Sequence, residues 1–129
     1  LNEDQEGLGK KGDVLGLEVN MRPAGGFTPE MYNYSQETDV YKIWADMVAF
    51  DCNTKDIGNH HYCAFYGRRD SKQYKLDDYE VMMRYGHKMV MWGRIPEALS
   101  GAMANQMYVA NFDSEEEMMA FYEDLAAQY

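Results

Sequence analysis

Gln106-Met107-Tyr108-Val109-Ala110-Asn111-Phe112 runs directly into Asp113-Ser114-Glu115-Glu116-Glu117-Met118-Met119-Ala120-Phe121-Tyr122, and the reading of this junction decides the fold class. Met107 and Val109 fall opposite Tyr108 and Ala110, the period-two placement of a strand. Beyond Phe112 the period lengthens. Ser114 and Glu117 have the spacing of a capping box, and Met118, Phe121, Tyr122 and Leu125 supply the buried face of a helix.

Outward from that junction, strands and helices alternate. Residues 89–92 and 62–66 are apolar enough for strands, and residues 76–85 read as a helix closed by Gly86. Gly93-Arg94-Ile95-Pro96 and Ser100-Gly101 mark a long loop between two strands, and residues 51–59 form another. Val40, Ile43, Trp44, Met47 and Val48 make one apolar stripe on a helix that begins near Asp39. Thr28-Pro29-Glu30-Met31 reads as a short helix start with Thr28 as its cap. Residues 14–20 read as a strand buried on most sides, residues 21–27 as a loop, and the glycine-rich residues 1–13 as an exposed loop or hairpin tip. The sum is one α+β domain, its sheet mixed or largely antiparallel, with helices packed on one face.

Composition narrows the function. Of 129 residues, 46% are hydrophobic and 26% charged, a globular balance with room for one core. A formal net charge of −10 argues against a nucleic acid or an anionic membrane as partner. Cys52 and Cys63 form neither a disulfide framework nor a CxxC pair, which fits a reducing compartment, and the cytoplasm is the expected location. No apolar run approaches the ~20 residues that span a bilayer. The polar, turn-like opening at Leu1 reads as the edge of a piece cut from something longer.

The chemistry concentrates in Glu18-Val19-Asn20-Met21-Arg22-Pro23-Ala24-Gly25-Gly26-Phe27. Along a strand, Glu18, Asn20 and Arg22 point the same way. A carboxylate beside an amide oxygen suits Mg²⁺, and a guanidinium just beyond suits an anion. Gly25 and Gly26 can bring backbone N–H groups close to a ligand. The alternative is the solvated face of an edge strand.

Glu18-Val19-Asn20-Met21-Arg22 resembles the last conserved motif of the ATP-grasp superfamily of ligases. The longer run through Gly25-Gly26-Phe27-Thr28-Pro29 and Asp39-Val40-Tyr41-Lys42-Ile43-Trp44-Ala45-Asp46-Met47 is similar to its carbamoyl-phosphate-synthase-like or carboxylate–amine-ligase-like members. The resemblance implies the carboxy-terminal portion of an ATP- and Mg²⁺-dependent (or Mn²⁺-dependent) enzyme that activates a small carboxylate as an acylphosphate for capture by an amine. It assigns Glu18 and Asn20 to the metal and Arg22 to the substrate anion; Gly25 and Gly26 are read as cofactor-binding from their backbone N–H groups, and Arg94, by its place in the long loop, as a second-rank anion contact counted with them. The amino-terminal ATP-grasp subdomains would then be the missing partners, the piece alone would be inactive, and its uncovered apolar surface predicts self-association, for instance as a dimer. The rival reading is a non-catalytic regulatory or interaction module with a vestigial motif. Glu6 is a conceivable further metal ligand by distance, though a strand preceding Leu1 is the better source.

Other candidates are weaker. His60 and His61 adjoin Cys63, but neighbours on a strand face opposite ways and do not readily share one ion. His87 reads as a helix-end residue and Cys63 as a small buried hydrophobe. Arg68, Arg69 and Lys72 form the local basic cluster, read as a solvated hairpin tip in preference to a phosphate contact.

Overall fold

The computed structural model describes residues 1–17, 24–56 and 58–129. Among these, β1 (Tyr62–Arg68), β2 (Met89–Arg94) and β3 (Gln106–Phe112) form a three-stranded sheet in the order β1-β3-β2. Both outer strands are antiparallel to β3. They therefore run parallel to each other, joined through α3 (Asp78–Tyr85) across the strand between them, a split β-α-β arrangement. The class is α+β, as the strand-to-helix junction predicts.

Side-chain alternation sorts the sheet into two faces. On one, Ala64, Tyr108, Ala110 and Phe112 meet Val81 of α3 and Phe121 and Leu125 of α5 (Glu115–Ala126). Phe121 centres this core, edge-on to Tyr85 at 5.1 Å and tilted against Phe112 at 5.2 Å. Each fully buried Phe, Leu or Val contributes about 1.5–3 kcal/mol from the apolar surface it removes from water. On the other face, Phe27 stacks on Phe65 at 6.1 Å and the Asn111 amide donates to the Tyr34 carbonyl at 2.9 Å. These contacts lay α1 (Thr28–Gln36) over the second face. The expected one-sided cover describes α3 and α5, and α1 adds the other side.

Local chemistry explains the boundaries. A capping box does form, but at α3, where Asp77 and Glu80 exchange two bonds of 2.8 Å. At α5, Ser114 accepts from the Glu117 amide at 3.2 Å, while the Glu117 carboxylate turns instead to Lys88 and the Asp113 amide. Gly67 is required by packing. A Cβ there would stand 2.6 Å from the Met103 carbonyl oxygen, at the end of α4 (Glu97–Met103).

Several expectations need correction. The described part of the strand predicted over residues 14–20, residues 14–17, pairs with no strand among the described residues and is exposed, with Leu17 at 97%. Residues 1–13 do form the exposed turn expected, bridged between Gln5 and Gly9 and closed by the amino terminus donating to the Asp13 carbonyl at 2.6 Å. Thr28 is the first helical residue, not the cap; Phe27 holds that position without a side-chain bond. The helix predicted over residues 76–85 starts at Asp78, because Asp77 caps it, and Gly86 stays right-handed and leads into a 3₁₀ turn, Gly86–Lys88. The long loop after β2 holds α4. Finally α2 (Val40–Phe50) starts where predicted, with Asp39 accepting from the Lys42 amide at 3.0 Å, but its stripe is largely uncovered.

Candidate functional site

Glu18, Asn20 and Arg22 lie outside the described residues. Their immediate context is described. Gly25 and Gly26 precede α1 in an exposed turn; Gly26 has φ +66°, a conformation that favours glycine, and a Cβ at Gly25 would meet nothing within 4 Å. The turn is thus open to a ligand's approach, though Gly26 also abuts Met103 of α4. Arg94, at the end of β2, belongs to a different place.

That place is a cleft of about 520 Å³ where β1 and β2 end and β3 begins, closed on one side by residues leading into α3. Arg68, Arg69, Lys72, Tyr74, Asp78 and Arg94 line it. Strand parity put Arg68 there: it lies two residues beyond Tyr66 and four beyond Ala64, on the face that turns to the core. Only 4% of it is exposed, so the reading of a solvated hairpin tip is corrected for this residue.

The guanidinium is tied in but not neutralised. Its Nε donates to the Leu125 carbonyl at 3.2 Å and its Nη1 to the Leu76 carbonyl at 2.7 Å. Tyr74 and Tyr108 present their rings at 4.5 and 5.5 Å. Among the described residues no carboxylate lies within salt-bridge distance of it, and Nη2 has no partner. A desolvated cation–π contact contributes about 2 kcal/mol, whereas burying a charge costs several and an unmade buried bond about 1–3. The site therefore carries an undercompensated positive charge.

Its neighbours are differently employed. Arg94 binds Asp70 through two bonds of 2.7 and 2.5 Å, which holds the Asp70 carboxyl below the usual carboxylate range. Arg69 donates to the Ser100 and Gly101 carbonyls at 3.3 and 3.1 Å. The Tyr108 hydroxyl donates to Asp78, and burial first, then that bond, pushes its pKa well above the ordinary phenol value. Asp77 caps α3. Lys72 has no ion-pair partner among the described residues.

The remaining candidates are structural. His61 lies between Glu37, at 3.0 Å, and Asp113, at 3.6 Å. Burial pushes the Cys63 thiol up to about 11, which keeps it protonated and unreactive at neutral pH. Among the described residues no group of three or more His, Cys, Asp or Glu side chains is placed to hold a metal ion, and Glu6 is exposed in the amino-terminal turn. No described helix is long and apolar enough to cross a membrane.

Of the sequence candidates that are described, Gly25 and Gly26 sit before α1 and Arg94 in the cleft. Tyr74, Tyr108 and Asp78 were not anticipated there. Tyr108 could have been found, because it pairs across the sheet with Tyr66, two residues before Arg68. Comparison with protein-family models, with characterised proteins and with solved structures finds no match for this chain.

Proposed function

We propose that the chain is the carboxy-terminal part of an ATP- and Mg²⁺-dependent ligase, active on a small carboxylate in the cytoplasm. The observation that carries this reading is the run Glu18-Val19-Asn20-Met21-Arg22 leading into Gly25-Gly26. Glu18 and Asn20 would hold the cation and Arg22 the substrate anion, with the open Gly25-Gly26 turn offering backbone N–H groups to phosphate. The bound cation and nucleotide would supply the phosphoryl group and neutralise its charge. The chain's own work would be positioning. By itself it would catalyse nothing.

A second reading is favoured by α2, which exposes Trp44 by 45% and Val48 by 67%. Such a stripe suits an interaction module, and in either reading it would support self-association or a partner's docking. Equilibrium binding of Mg·ATP to the full-length protein that contains this chain separates the two. Saturable binding that requires Mg²⁺ and weakens at least tenfold in Asn20→Ala supports the ligase. Absence of nucleotide binding in the wild type gives the module reading the field.

A further inference from the structure

The cleft at the end of the sheet has positive charge with no ion-pair partner among the described residues, and this does not depend on the ligase reading. Four cationic side chains line it: Arg68, Arg69, Lys72 and Arg94. Arg94 is neutralised by Asp70, and Arg69 is engaged by backbone carbonyls. Arg68, buried in the floor, and Lys72, at the wall, remain without carboxylate partners among the described residues. Asp77 and Asp78 also line the cleft, but Asp78 accepts from the Tyr108 hydroxyl and Asp77 from the Glu80 amide, and neither comes within salt-bridge distance of Arg68 or Lys72. Tyr74, Tyr79 and Leu76 add apolar wall, and the volume is that of a small-molecule site.

We infer that this cleft binds a small organic oxyanion, its carboxylate or phosphate head held between Lys72 and the Arg68 guanidinium and its body laid against Tyr74 and Tyr79. The Arg68 guanidinium, buried and with Nη2 unpartnered, acts on the cleft through a fixed field that water screens little, and the exposed Lys72 provides the direct donor. Carboxylate and phosphate share this chemistry, so the test uses both heads.

Arginine side chains labelled with ¹⁵N are observed by NMR while sodium phosphate, and separately sodium acetate, replaces sodium chloride at constant ionic strength and pH. The Arg68 Nε–H signal is expected to move to a plateau with at least one of the two, and the tighter one identifies the preferred head. Lys72→Ala should raise that midpoint about threefold to fivefold, the worth of one partly exposed charge contact. Lys55→Ala, on a loop outside the cleft, should leave it unchanged. An Arg68 signal that neither anion moves, or that drifts without a plateau, overturns the proposal. So does a midpoint that Lys72→Ala leaves where it was.

Discussion

Helices α2 and α5 are nearly equal in length, 11 and 12 residues, and each carries an apolar stripe at helical spacing. Their surroundings differ. α5 sends Phe121 and Leu125, both 0% exposed, into a sheet that already presents Ala64, Ala110 and Phe112. α2 packs chiefly on α1 and leaves Trp44, Met47 and Val48 between 45 and 67% exposed. Its one fully buried side chain is polar, Asp46, held by Lys42 and Thr54. A stripe says which face is apolar; only a neighbouring surface decides whether burial follows, and with it most of the stability a helix has.

The largest contrast should come from truncating the two stripes. Phe121→Ala removes a ring packed on all sides and is expected to cost about 3–5 kcal/mol, read as a lower urea midpoint. Val48→Ala should cost less than about 0.5 kcal/mol, because nothing closes around it. Similar costs at both positions would erase the distinction between the regions.

A smaller effect of opposite sign is expected inside the sheet unit. Ala104 sits at φ +92°, ψ −176°, a conformation that costs a non-glycine residue about 1–3 kcal/mol. It is held there because the Asn105 amide donates to the Arg68 carbonyl at 2.9 Å and the Met103 carbonyl lies against Gly67. Ala104→Gly should therefore raise stability by about 1 kcal/mol after the entropy of the more flexible unfolded chain is subtracted. Thermal unfolding would measure it, and a destabilised variant would show that no strain is stored at this turn.

Acid should act on α2 through Asp46. The Lys42 bond, then the Thr54 bond, holds the Asp46 carboxyl below its ordinary value of 3.8. Folding thus favours the ionised form, and the unfolded chain binds the proton more readily. The contribution is complete above about pH 4 and fades as the pH drops through the folded value. Trp44 fluorescence in a Trp92→Phe background should report this loosening, and Asp46→Asn should flatten the response. The smallest effect expected is in association: Val48→Ser should weaken any concentration-dependent light scattering while leaving the unfolding midpoint almost unmoved.

Much of the sheet unit was legible because local signals there agree with one another. Residues 106–112 are an apolar run buried on both faces and paired on both sides, and Ser114 caps α5 where its spacing predicts. The start of α3 lies two residues past apolar Leu76 because Asp77 and Glu80 form the cap. Residues 14–17 look like a strand because Val14, Leu15 and Leu17 are apolar, but a strand needs a partner's hydrogen bonds, and periodicity does not supply one. The run Glu18-Val19-Asn20-Met21-Arg22 is a pattern of residue types that needs no fold to be seen, and it lies outside the described residues. The cleft was not, because Arg68 reaches its place only when β1, α3 and α5 come together.

The most direct test of the ligase account is ATP turnover and melting temperature measured side by side for Glu18→Gln in the full-length protein. The account predicts turnover lowered by about two to three orders of magnitude, as for loss of a group that stabilises transferring charge, with the melting temperature unchanged. Turnover that persists at the wild-type rate in the folded variant would contradict it.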